Sequence, residues 1–374
     1  MNHFDATTVS RKVKIACRDK RLRIVTLLGL LSLVWACYPV SDITYSNMQD
    51  SAANQWLIEY KTGEEKVHLT LRYVRARNGH SSYSNTGFMI SPDQLTGLTR
   101  DQAMSAGTHV QFQLKRDAGT FNFDGWFKEG NGSGHFTFAS NASFASELNK
   151  QGFGTPTAEQ QFSMALNDVG FALINELKAQ DYERPTLDQL VKMGNHGVRL
   201  DYLQGLKQLG YSLKSVDLLI KMRDHGVSLN FIREFAALGY SGLAAEELIR
   251  TRDHGVSAKF INELMAAGYT KLSLADWITL RDHGVGPKFV QELEALGYSR
   301  LPIEQLRRMR DHGVNAKFIE ELKQVGYDKV PVEQLIRLRD HGVGAKFIQK
   351  MKEQGHKDLT LDEYVSLRNR GERE

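Results

Sequence analysis

The sequence predicts an α+β chain: a small antiparallel β domain followed by an α-solenoid of short helix pairs. Three observations carry this. A five-residue motif recurs every 29 residues, as Arg223-Asp224-His225-Gly226-Val227, Arg252-Asp253-His254-Gly255-Val256, Arg281-Asp282-His283-Gly284-Val285, Arg310-Asp311-His312-Gly313-Val314 and Arg339-Asp340-His341-Gly342-Val343. A fixed period of this size marks stacked supersecondary units. Upstream, apolar and polar residues alternate with a period of two between residues 54 and 140. From Phe144 onward the period becomes helical and stays so.

The β domain is expected over residues 54–140. Trp56-Leu57-Ile58-Glu59-Tyr60 and Val67-His68-Leu69-Thr70-Leu71-Arg72-Tyr73 alternate around a turn at Thr62-Gly63-Glu64-Glu65. Ser82–Ile90 is a weaker strand candidate. His109–Leu114, Thr120–Phe123 and His135–Phe138 alternate cleanly, and the glycine-rich stretch 129–134 reads as the tip of the last hairpin. About six strands result, few for a closed ligand-holding barrel, which typically needs eight.

The solenoid is expected over residues 144–374 as eight repeats. Phe144, Leu173, Tyr202, Phe231, Phe260, Phe289, Phe318 and Phe347 form one column at the repeat spacing. Phe153, Tyr182, Tyr211, Tyr240, Tyr269, Tyr298, Tyr327 and His356 form a second, and both columns read as core. In the unit 257–285, Ser257 caps a first helix that Gly268 closes. A second helix runs from Ser273 to His283. Thr186, Ser215 and Thr360 keep the second cap, while Pro302 and Pro331 read as helix-start prolines.

Ahead of both regions, residues 1–23 hold seven Lys and Arg against two Asp, a net charge of +5 in a chain whose total is +4. The remainder is therefore close to neutral at −1, and no basic body for nucleic-acid binding is expected. The run Ile24–Ala36 is uncharged and shorter than the ~20 residues of a comfortable membrane span. Basic region, apolar run and small exit residue make 1–36 a signal peptide or N-terminal membrane anchor. Cys37 directly follows and is a possible lipidation site; residues 37–53 read as a linker. The only other cysteine is Cys17, so the body carries neither a disulfide framework nor a thiol nucleophile.

The repeated polar residues invite a functional reading. The column His225, His254, His283, His312 and His341 suggests metal, but one histidine per repeat, with packed helices ~10 Å apart, does not supply three or four ligands to one ion. The competing reading is structural. Each histidine sits in the last turn of its helix and serves its free carbonyls, and each preceding Asp pairs with Arg or Lys of the adjacent unit. Lys259, Glu263, Lys288, Glu292, Lys317 and Glu321 form helix faces and are the candidate partner surface. His80, His109, His135, Asp93, Asp101 and Asp124 show no spacing that suggests acid–base work. HExxH, CxxC, Walker and GxSxG motifs are absent, and no metal or cofactor is expected.

The pattern Arg-Asp-His-Gly-Val-x-x-x-Phe-Ile-x-Glu-Leu-x-x-x-Gly-Tyr, seen at Arg281–Tyr298 with Val290 in place of Ile, resembles the tandem units that trail some bacterial penicillin-sensing antirepressor metallopeptidases. It also resembles those of stand-alone secreted or anchored proteins. The resemblance covers residues 144–374. It does not extend to the peptidase, whose zinc helix and multiple membrane spans have no counterpart in this sequence. It implies an extracytoplasmic interaction role. The expected function is a non-enzymatic, exported or membrane-anchored scaffold of the cell envelope that binds a protein or peptide along the solenoid, touching the membrane through its N-terminal segment. The alternative is an envelope sensor whose β domain binds a small ligand and whose solenoid relays the signal.

Overall fold

The computed structural model describes residues 54–61, 63–77 and 80–371. Residues 1–36, expected to be a signal peptide or anchor, residues 37–53, expected to be a linker, and Cys37 lie outside the described residues. Two compact units are present. The first is an antiparallel sheet of seven strands and the second a run of helix pairs, so the α+β architecture is observed as the sequence pattern required.

The strands are β1 (Gln55–Glu59), β2 (Val67–Arg77), β3 (His80–Ile90), β4 (Leu95–Thr96), β5 (Thr108–Arg116), β6 (Gly119–Lys128) and β7 (Asn131–Ser140), in spatial order β3-β2-β1-β7-β6-β5-β4. Two meanders thus meet where β1 pairs with β7, Gln55 opposite His135. The seventh strand, β4, has two residues and carries no alternation to read. The last hairpin differs from expectation in one respect. Its tip is only Glu129-Gly130, with φ of 49° and 83°, the two-residue geometry whose twist matches the flanking strands. The glycines beyond it lie within β7 and face aromatic rings.

Those rings fill one face of the sheet. Trp56 meets Phe112 at 5.1 Å and Phe127 at 5.6 Å between centroids, and Phe112 stacks on Phe123 at 4.7 Å. The indole of Trp56 crosses β7 and β6 over the opposed glycines Gly134 and Gly125. A Cβ on Gly125 would lie 2.8 Å from the indole and 2.2 Å from the Ser133 carbonyl; on Gly134 it would lie 2.1 Å from the Asp124 carbonyl. The glycine pair therefore makes the slot, and Trp56 Nε1 donates to that same Asp124 carbonyl at 3.2 Å.

The second unit holds sixteen helices of nine residues each among the described residues. First helices begin at Ala142, Phe171, Leu200, Leu229, Ala258, Pro287, Ala316 and Ala345. Second helices begin at Ala158, Leu187, Val216, Ala245, Leu274, Ile303, Val332 and Leu361. Both series keep the 29-residue period. Nine-residue helices are marginal alone, so the packing between units holds them. Ser257 Oγ accepts from Phe260 N at 3.2 Å, and Ser273 with Asp276 forms a reciprocal capping box. Pro287 is at the first helical position. Pro302 and Pro331, read as helix-start prolines, stand one residue earlier as N-caps with extended ψ of 145°.

The Phe column is core, buried from Phe144 to Phe347. The Tyr column is mostly half-buried and does something different. The hydroxyls of Tyr240, Tyr269, Tyr298 and Tyr327 donate to the carbonyls of Leu272, Leu301, Val330 and Leu359, each in the loop of the next unit, at 2.6–3.0 Å. A phenol ring keeps its apolar body in the core while its hydroxyl satisfies a carbonyl that a Phe would leave bare.

Candidate functional site

The recurring motif resolves into a set of contacts within and between neighbouring units. Each histidine is the C-cap residue of a second helix, and its backbone N–H caps that helix. Its ring reaches the aspartate of the following unit. His225 Nδ1 donates to Asp253 at 2.7 Å, His254 to Asp282 at 2.8 Å, His283 to Asp311 at 2.6 Å and His312 to Asp340 at 2.6 Å. The series begins at His196 with Asp224, 3.0 Å, and ends at His341 with the amide oxygen of Asn369, 2.8 Å. The aspartates were expected to meet Arg or Lys of the adjacent unit; they meet histidine instead, because the arginines are engaged elsewhere.

Each motif arginine lies over the aromatic ring of the preceding first helix. Arg223 covers Tyr202, Arg252 Phe231, Arg281 Phe260, Arg310 Phe289 and Arg339 Phe318, with Cζ 4.8–5.5 Å from the centroids. From there Arg223 Nε donates to the Gly197 carbonyl at 3.1 Å and Arg339 Nε to that of Gly313 at 2.9 Å. Planar guanidinium suits this double task, a stack with a hydrogen bond at its edge. The motif glycines have positive φ: Gly226 72°, Gly255 67°, Gly284 68°, Gly313 70° and Gly342 64°. The closing valines are buried. The motif is thus committed to the array itself: His, Asp and the Arg Nε hold units together, the Arg plane covers a ring of its own unit, and Gly and Val end the helix and fill the core.

The six candidate partner residues lie on the first helices as exposed i,i+4 pairs. Lys259–Glu263, Lys288–Glu292 and Lys317–Glu321 are 3.7–3.8 Å apart. A second row, on the second helices, crosses units: Lys221 to Glu246, Arg308 to Glu333 and Arg337 to Asp362, at 2.7–3.0 Å. Among the described residues, no group of three or more His, Cys, Asp or Glu is placed to hold a metal ion. No described helix is long and apolar enough to cross a membrane.

A constellation that the sequence reading passed over lies on the exposed face of the sheet. Strand register aligns Asp124, His135, Gln55, Arg72 and Asn85 in one row across β6, β7, β1, β2 and β3. Gln111 of β5 extends it, its Nε2 donating to Asp124 at 2.7 Å. That bond above all, and His109 at 3.2 Å more weakly, holds the Asp124 carboxyl below its ordinary range. Beside the row, Gln113 donates to Asn122 at 2.7 Å. Trp126 is 61% exposed and braced edge-on by His109 at 5.3 Å; Tyr83 is 55% exposed and backed by Arg72 at 4.4 Å. Two shallow depressions, of about 560 and 480 Å³, meet at His135. His109, His135 and Asp124, unrelated by local spacing, are brought together by the pairing of β5, β6 and β7.

No family model matches this chain, and no curated protein matches it.

Proposed function

We propose that the chain is a non-enzymatic interaction scaffold of the cell envelope, exported or membrane-anchored through residues 1–36, that binds a protein or peptide along its solenoid. One observation carries this reading. The residues of the repeat motif that look reactive are spent inside the array, through His–Asp pairs of 2.6–3.0 Å that join unit to unit and Arg–aromatic stacks that join the two helices of one unit. What the array offers outward is a regularly repeated surface, which suits additive recognition of an extended partner. The lysine–glutamate pairs at Lys259, Lys288 and Lys317 are the part of that surface proposed to touch it.

The test is in-cell crosslinking in envelope fractions with the full chain and with a variant carrying Lys259→Glu, Lys288→Glu and Lys317→Glu. Loss of a crosslinked protein from the variant is the expected result. An unchanged crosslinking pattern would refute binding at this surface.

The sheet supports a second reading, as ligand receptor. Its inner face is filled by aromatic rings, which directs that reading to the exposed face.

A further inference from the structure

We infer that the exposed face of the sheet is a binding platform for an uncharged oligosaccharide of pyranose units. The inference rests on the ligand-receptor reading of the sheet and is independent of what the solenoid binds. Its ground is the match between what this face offers and what a sugar requires. A pyranose presents an apolar face of C–H groups, rimmed by hydroxyls that each donate and accept. A flat aromatic ring serves the first need and side-chain amides, which also both donate and accept, serve the second.

Both are present and held in place. Trp126 on β6 and Tyr83 on β3 stand exposed one row to either side of the polar row, with four strand spacings, ~19 Å across the sheet, between their strands, and each is propped by a neighbour, His109 or Arg72. The amides are fixed by hydrogen bonds: Gln111 on the Asp124 carboxylate, and Gln113 on the Asn122 amide, both at 2.7 Å. Each bond consumes one N–H of the glutamine and leaves its carbonyl oxygen, and Asn122 keeps its own N–H groups, to meet hydroxyls. Groups fixed beforehand lose little conformational freedom on binding.

Charge and shape separate this ligand from others. The row holds one carboxylate, Asp124, and one guanidinium, Arg72, so it is balanced, whereas a polyphosphate backbone asks for a run of cations. The exposed apolar side chains Trp126 and Leu57 flank Ser133 in the next row, with registers Trp126↔Ser133 and Leu57↔Ser133. A protein hot spot asks instead for a contiguous apolar centre. The depressions are open, and a lipid chain needs an enclosed apolar one.

The experiment is affinity electrophoresis and array binding of the full chain against neutral probes: β-glucan, α-glucan, mannan and N-acetylglucosamine oligomers. Polyanionic glycans and charged metabolites serve as comparison. At least one neutral probe binds, and Trp126→Ala weakens it about tenfold, the loss of one ring-stacking contact. Gln113→Ala weakens it severalfold. Both side chains lie on the exposed face, so the unfolding midpoint stays that of the parent chain. Binding undiminished in both variants would overturn the assignment. Binding of charged metabolites alone would overturn the sugar and leave a ligand-binding sheet; binding of no probe at all would overturn both.

Discussion

His283 Nδ1 lies 2.6 Å from Asp311 Oδ1, and the two residues stand 28 apart in the chain. The bond joins the end of one second helix to the end of the next. Six such bonds, from His196 to Asn369, repeat the same arrangement along the array. Both partners are about one-third exposed, so the pair contributes through geometry more than through charge. Removing either side, as His283→Ala or Asp311→Ala, is expected to lower stability by about 1 kcal/mol, a typical net hydrogen-bond value. The double variant should lose less than the sum, because a contacting pair couples. Urea midpoints of the four proteins test this; strictly additive losses would show that the pair does not interact.

Gly284 is more constrained than its neighbour in the motif. Its φ is 68°, and a Cβ there would meet Arg310 Nη2 at 3.1 Å. Gly284→Ala should destabilise by about 1–2 kcal/mol, from left-handed strain alone, and more if Arg310 is displaced from Phe289. A loss below that of His283→Ala would contradict this.

Some left-handed positions carry the wrong residue for stability. Lys271, Arg300 and Lys329 have φ of 60°, 52° and 51°, and Gly242 occupies the equivalent place one unit earlier at 67°. Replacing Lys271 with Gly relieves about 1–2 kcal/mol of strain and adds about 0.4–1 kcal/mol of unfolded-state freedom to lose. The net expectation is a stabilisation of about 0.5–1 kcal/mol, read as a higher unfolding midpoint.

In the sheet, Gly125→Ala and Gly134→Ala each drive a methyl into a backbone carbonyl about 2 Å away and into the Trp56 indole. Backbone on both sides cannot yield as a side-chain tip can. Each change should cost about 3 kcal/mol or more and remove the near-ultraviolet circular dichroism of Trp56. A native near-ultraviolet spectrum would show that the slot can widen.

Alkaline pH should loosen the array. Burial pushes the Tyr202 phenol up to about 12, and its hydroxyl donates to the Val227 carbonyl at 3.0 Å. Burial likewise raises Tyr364 to about 12, with its hydroxyl on the His356 carbonyl. The folded values lie above the ordinary 10.0. Stability from these groups is therefore full below pH about 10 and lost as pH rises toward about 12. Phenolate absorbance should rise together with loss of helical signal in that window. Early titration of these phenols, near pH 10, would contradict their burial.

The repeat was legible because it is local and periodic. Ser257, Ser273, Gly268 and the Phe column could be placed from spacing alone, since caps and core positions answer to nearby residues. The partner of each motif aspartate was not, although His and Asp stand in adjacent columns. One repeat in isolation offers Asp311 an arginine in its own helix, and Arg307 does reach it at 2.8 Å. Only the stacking of units reveals that His283 is there too. The sheet face was hidden for a similar reason. Gln55, Asp124 and His135 form a row through strand register, and a sequence shows alternation without showing which strands are neighbours. Trp56 could be read as core, but the need for Gly125 and Gly134 beneath it could not.

The His–Asp bond has a consequence for how such a chain lengthens. Every internal unit brings one histidine facing forward and one aspartate facing back, and the tyrosine–carbonyl and arginine–glycine hydrogen bonds are divided in the same way between donor unit and acceptor unit. A duplicated unit spliced between two others therefore arrives with both halves of every junction and leaves no orphaned polar group. Removal of one closes the gap with the same bonds. Copy number is in this sense a neutral variable of the fold, and the reach of the scaffold can be altered in whole steps by slippage of the gene, with no compensating substitution required.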